Sequence, residues 1–148
     1  WRTVEEPFDV LAALRSHAAA GDFIVIDCAT LWVSNLLLVR ISDADVIAPE
    51  ATHAVIDDVA ARAGALVEWC TAFDGDVAVV SNEVGAGIVP PYPLGRVFRD
   101  ALGAANRIVA GGADRVYYLV AGLALELKSL GAATLDTFSE THDDPDHR

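Results

Sequence analysis

Asp27 closes the apolar run Phe23-Ile24-Val25-Ile26. A carboxylate in that position can hold the water shell of a Mg²⁺ ion or orient a hydroxyl. The same placement suits a helix N-cap or a turn acid, and the pattern alone leaves both readings open. A second run, Val77-Ala78-Val79-Val80, passes directly into Ser81-Asn82-Glu83-Val84-Gly85-Ala86-Gly87-Ile88-Val89-Pro90. Gly85 and Gly87 permit backbone torsions and close approaches that other residues resist. Asn82 and Glu83 place polar groups just past the strand. A long loop between a strand and a helix is a common carrier of function, and the alternative is a turn closed by its own hydrogen bonds. Arg96 and Arg99 follow in the first turns of a helical pattern, sharing a face by their spacing, with Asn106 two turns further on. Two guanidiniums at a helix start suit an anionic group such as phosphate. An ion pair of an arginine with Asp100, within the chain or at a subunit contact, is the competing reading.

Other chemistries find little support. His17 and His53 fall on helical patterns, on faces expected to be solvated, while His142 and His147 lie in an acidic C-terminal stretch. Nothing in their spacing suggests a metal site. Ser34 lacks the G-x-S-x-G context of an activated nucleophile. Lys128 is the only lysine, and no glycine-rich loop precedes it, so the 148 residues hold no G-x-x-x-x-G-K-[ST]. Cys28 and Cys70 lie far apart in apolar surroundings without a C-x-x-C. They read as buried thiols of a reducing compartment.

The elements that position these residues follow from hydrophobic patterning. Phe23–Ile26, Val77–Val80 and Val116–Val120 are short apolar runs without alternation, which predicts strands buried on both faces of a parallel sheet. Helical spacing runs through Pro7–Ala20 (Phe8, Leu11, Leu14), Glu50–Phe73 (Val55, Val59, Leu66, Val67, Cys70) and Gly95–Ala110 (Val97, Phe98, Ala101, Leu102, Ile108, Val109). Alternating helices and strands predict an α/β fold, a mainly parallel sheet flanked by helices. Right-handed crossovers then bring the carboxyl ends of all three strands to one edge, where ligands bind in such folds. The length and the 53% apolar content allow one domain with a substantial core. The net charge of −12 argues against general binding to nucleic acid or to an anionic membrane. The longest uncharged apolar stretch, Val116–Leu125, is about half a membrane span. No signal peptide is visible. From Ser129 the chain loses its periodicity and turns acidic through Asp136, Glu140, Asp143, Asp144 and Asp146, which predicts a poorly ordered tail over 129–148 after a nucleotide-binding domain over 1–128.

These segments together resemble the bifunctional adenosylcobinamide kinase/adenosylcobinamide-phosphate guanylyltransferase family of cobalamin biosynthesis. The stretches that carry the resemblance are Trp1-Arg2-Thr3-Val4-Glu5, Ile26-Asp27-Cys28-Ala29-Thr30-Leu31-Trp32-Val33-Ser34-Asn35-Leu36-Leu37 and, most specifically, Asn82–Pro90. Arg96-Val97-Phe98-Arg99-Asp100, Gly103, Asn106, Ala113-Asp114, Val116-Tyr117, Gly122 and Leu127-Lys128 continue it in order. The resemblance implies a P-loop NTPase-like (RecA-like) fold and two linked reactions. A nucleoside triphosphate, ATP or GTP, phosphorylates the aminopropanol hydroxyl of adenosylcobinamide. GMP then passes from GTP, through a covalent GMP-histidine, onto that phosphate. By position, Glu5 matches a glutamate that contacts GTP, and Asp27 matches the acidic residue of the nucleotide site that sits beside Mg²⁺ through water. Asn82, Glu83, Gly85, Arg96 and Arg99 fall at the edge of that site. A cytoplasmic homotrimer is the expected form.

The chain departs from the family at its start. The family's P-loop and guanylylated histidine both precede the tryptophan that matches Trp1, and none of the four histidines here falls at that position. With Trp1 first and no methionine, the expectation is a chain that has lost its N-terminal strand and P-loop, and that is inactive in both reactions by itself. A second hypothesis is a non-catalytic remnant serving as a binding or assembly subunit, separable from the enzyme by the upstream reading frame. A generic doubly wound small-molecule binder is a third, against which the long motif match argues.

Overall fold

A computed structural model describes residues 1–41 and 47–133. The elements run α1 (Val10–His17), β1 (Phe23–Asp27), α2 (Ala29–Arg40), α3 (Pro49–Ala72), β2 (Asp76–Val80), α4 (Pro93–Gly112), β3 (Tyr117–Val120) and β4 (Leu123–Glu126), then a one-turn 3₁₀ helix, Lys128–Leu130. Start signals are local. Asp9 caps α1 by accepting from the Ala12 N–H at 3.0 Å. Glu6 accepts from the Phe8 and Asp9 amides just before it, and these backbone hydrogen bonds, Asp9 first, hold its carboxyl below the usual range. Both α3 and α4 open on a proline, which has no N–H to leave unsatisfied in a first turn.

β1 and β2 are parallel, in a register that sets Phe23 opposite Asp76 and Asp27 opposite Val80. Ile24, Ile26, Val77 and Val79 turn one sheet face onto the core. That core is built where α3 presents Val55, Val59, Ala63 and Leu66 to Val97, Ala101, Leu102 and Ala105 of α4. The four-residue steps along both helices make continuous stripes, and the alanines among them let the helices approach closely. Trp32, Val33, Leu36 and Leu37 of α2 complete it.

Two expectations are corrected, and one element is added. The strands are not covered on both faces, because Phe23, Val25 and Val80 remain exposed on the side away from the core. The third apolar run does not join the parallel sheet: β3 pairs antiparallel with β4, from Tyr117–Glu126 to Val120–Leu123, as a separate two-stranded sheet. Its turn residues Ala121 and Gly122 have φ of 51° and 78°, the two positive values of a tight hairpin connection matched to strand twist. Residues 29–40 form a helix that periodicity does not announce, since exposed Leu31, Leu38 and Val39 leave no clean polar face.

The boundary at 128/129 falls inside the 3₁₀ turn, which Gly131 closes in the left-handed conformation. Residues 134–148, with His142, His147 and the acidic residues from Asp136 on, lie outside the described residues. Lys128 extends back so that its Nζ donates to the Gly111 and Ala113 carbonyls, satisfying orphan acceptors at the end of α4. That contact ties the hairpin to the helical body. Among the described residues no helix is long and apolar enough to cross a membrane.

Candidate functional site at the carboxyl edge of the parallel strands

Because β1 and β2 run the same way, Asp27 and the loop that begins at Ser81 leave the sheet at one edge. Asp27 is exposed and has no hydrogen-bond or ion-pair partner among the described residues. It does not cap α2. Cys28 does, its sulfur accepting from the Leu31 N–H at 3.5 Å. The carboxylate therefore points to solvent from the tip of a strand, without local hydrogen bonding to occupy it.

The loop is fastened at both ends. At its start, the Thr30 hydroxyl donates to Asn82 Oδ1 at 2.9 Å and accepts from the Asn82 N–H at 3.0 Å. Asn106, on α4, donates from Nδ2 to the Asn82 carbonyl at 3.0 Å and accepts from the Ser81 hydroxyl at 2.6 Å. Residues of two helices, α2 and α4, thus hold both the side chain and the main chain of Asn82. At the return, Arg96 donates from Nη1 to the Pro90 and Pro91 carbonyls, at 3.1 and 2.8 Å. Gly95 is buried there, where an added Cβ would stand 2.5 Å from the Tyr92 ring and 2.8 Å from Pro90 Cβ. Within the loop, Glu83 Oε1 accepts from the Gly85 N–H. The tip is apolar and open, with Ile88 98% exposed and Val89 55% exposed.

The two arginines have separate tasks. Arg96 braces the loop. Arg99 pairs with Asp100 at 3.7 Å, the ion-pair alternative, at a solvated position where such a pair is worth little. Glu5 is exposed and has no partner among the described residues. Its segment is laid over α2 by Trp32 Nε1, which donates to the Phe8 carbonyl at 3.0 Å, and Asn35 Nδ2, which donates to the Pro7 carbonyl at 3.2 Å. Cys28 and Cys70 are unpaired and half-buried rather than fully buried, and burial pushes the Cys70 thiol up. His17 and His53 are exposed, as the solvated-face reading expects.

Sequence reasoning passes over Thr30, whose partner lies 52 residues away. A hydroxyl in the first turn after a strand that ends in Asp is the one local signal it gives. Among the described residues no cluster of three or more His, Cys, Asp or Glu is placed to hold a metal ion. A lone strand-tip carboxylate such as Asp27 fits Mg²⁺ in its usual enzyme setting, where the ion keeps waters and takes other ligands from substrate phosphates.

Residues 1–127 match the family described as cobinamide kinase/cobinamide phosphate guanyltransferase. Among curated relatives, the bifunctional adenosylcobalamin biosynthesis protein CobP of Pseudomonas aeruginosa is 38% identical over 131 residues, covering 86% of this chain and 66% of that protein. CobU proteins of the same description from Salmonella typhimurium and Escherichia coli are 35% and 32% identical, each with 86% of this chain and 70% of the relative covered. The chain thus spans about two thirds of the length of these relatives, slightly less for the first. With the match running from Trp1 through the hairpin, the chain belongs to the cobinamide kinase/cobinamide phosphate guanyltransferase family.

Proposed function

We propose that the protein phosphorylates the aminopropanol hydroxyl of adenosylcobinamide from ATP or GTP and then transfers GMP from GTP to that phosphate, giving adenosylcobinamide-GDP. The observation that carries this reading is the Asn82–Pro90 loop, held at the same sheet edge as the free carboxylate of Asp27. In the first reaction the hydroxyl oxygen attacks the terminal phosphorus and the nucleoside diphosphate departs. In the second, GMP passes through a covalent GMP-histidine, pyrophosphate departs, and the corrinoid phosphate takes up the GMP.

The proposed roles rest on the family resemblance together with the geometry of the sheet edge. Asp27 would hold Mg²⁺ through its water shell; when bound, the ion neutralises phosphate charge. Glu5 contacts the GTP nucleoside. Asn82, Glu83 and Gly85 line the rim, Arg96 keeps the rim in shape, and Arg99, paired with Asp100, follows one turn along α4. The sheet belongs to a P-loop NTPase-like, RecA-like arrangement, and the phosphate-binding loop is not among these 148 residues. The 148-residue chain alone therefore carries out neither reaction. A homotrimer working in the cytoplasm is part of the same proposal.

Incubation with α-labelled GTP and denaturing electrophoresis tests it. The full gene product takes up label and passes it to adenosylcobinamide phosphate, whereas the 148-residue chain does not. A labelled histidine within the 148 residues overturns the assignment of the nucleophile. A full gene product that acts on neither corrinoid overturns the function.

A further inference from the structure

Asn82 is held to an unusual degree for an exposed loop residue. Its N–H and its Oδ1 both engage the Thr30 hydroxyl, and its carbonyl is bound by Asn106, which also takes the Ser81 hydroxyl. Thr30 stands in the first turn of α2, two residues beyond its cap Cys28, and Asn106 stands within α4. One hydroxyl that accepts from the backbone N–H of Asn82 and donates to the side-chain oxygen of the same residue fixes that residue in direction as well as place. Glu83 follows immediately, and its carboxylate is folded back onto its own loop, accepting from the Gly85 amide. A shift of Asn82 is therefore handed straight to Glu83 and to the glycines after it.

We propose that Thr30 and Asn106 are positioning residues for the reactions assigned above: they clamp Ser81–Asn82 between α2 and α4 and so set where the Glu83–Gly87 stretch meets the nucleotide. This inference rests on that assignment for its functional part, whereas the clamp itself is a property of the fold. Neither residue needs to touch substrate. The clamp matters because misplacement of a catalytic rim by about 1 Å is enough to slow a reaction about 100-fold.

Thr30→Val keeps the shape and removes the hydroxyl, Thr30→Ser restores it, and Asn106→Ala removes the second hold. Amide exchange at Asn82, followed by NMR, reads the clamp directly, and exchange about 10-fold faster is expected in Thr30→Val, with Thr30→Ser near wild type. In the full gene product, kcat is expected to fall about 10-fold or more in Thr30→Val and in Asn106→Ala, with KM for GTP nearly unchanged and Thr30→Ser restored to within about 3-fold. A merely structural role lowers the melting temperature and leaves kcat intact well below it, and that result overturns the proposal. Unchanged Asn82 exchange in Thr30→Val overturns it too, whatever the kinetics. An active wild type with fully active variants defeats this inference alone, while a wild type inactive on both corrinoids defeats the assigned function and this role with it.

Discussion

Asp27, the last residue of β1, lies directly opposite Val80, the last residue of β2, so the carboxylate and the Ser81–Pro90 loop depart from one level of the sheet. The neighbouring Cys28, not Asp27, caps the following helix. Together these facts separate the charge at residue 27 from the stability of the fold.

Asp27→Asn therefore keeps the shape and removes the charge that would hold the ion's water shell. In the full gene product kcat is expected to fall roughly 100-fold, about 2.7 kcal/mol of barrier. The nucleotide-free melting temperature should stay within a degree or two. Near-normal kcat with a melt several degrees lower would make Asp27 a structural residue after all.

Glu5→Gln should behave differently. On the proposed placement of Glu5 at the nucleoside end, it contributes about equally to ground and transition states, so KM for GTP rises while kcat is kept. Because Glu5 has no partner among the described residues, the thermal melt should not move. A fall in kcat with unchanged KM would place Glu5 at the reacting phosphates instead.

The part of this fold legible in the sequence was the part set by local patterning. The stripes of α3 and α4 and the apolar runs of β1 and β2 follow from neighbouring residues, and the alternation of helix with strand implies the parallel pairing that brings Asp27 and Ser81 to one edge. α2 escaped because its apolar residues surround the helix, which erases the periodic signal. The run at 116–120 misled because its composition is that of a buried strand. Its correct partner was marked only by the two-residue Ala121-Gly122 link to a second apolar run, Leu123–Leu125. At the site, the loop glycines and Asp27 stand out by type and position. Thr30 does not, and Asn106 stands out only as a polar residue on the helix of the two arginines; their partners lie 52 and 24 residues away, and no spacing rule encodes such contacts.

Two glycines of α4 should respond oppositely to alanine. Gly103 is exposed with nothing within 4 Å of an added Cβ, so Gly103→Ala gains helix propensity and should stabilise by about 0.5–1 kcal/mol. At Gly95 the same methyl meets Pro90 Cβ at 2.8 Å, an atom fixed in a ring. Gly95→Ala should destabilise by about 1–3 kcal/mol and weaken the Arg96 brace on the loop. Urea melts of both variants check this, and a stabilised Gly95→Ala would mean that the loop return yields without cost.

The base of the hairpin should open with acid. Glu126 Oε1 accepts from the Val116 and Lys128 amides at 3.2 and 3.1 Å, and Oε2 from the Ser129 amide at 2.7 Å. Desolvation pushes its pKa up, but the hydrogen bonds from Ser129, Val116 and Lys128 favour the charged form and leave it below the usual carboxylate value. A carboxyl whose folded pKa is depressed stabilises fully above its unfolded pKa, about 4.3 for glutamate, and loses that contribution as pH falls through the lower folded value. Amide exchange at Val116 and Ser129 should therefore quicken as the pH drops below that range, relative to amides in α3 under the same conditions. Glu126→Gln presents an N–H₂ where one of these donors needs an acceptor, so its hairpin base should already be loose at neutral pH and insensitive to acid. Glu6 has a lowered pKa as well, but it serves the start of α1, and the site-resolved readout keeps the two apart. Equal acid response in wild type and Glu126→Gln would show that another group governs the hairpin.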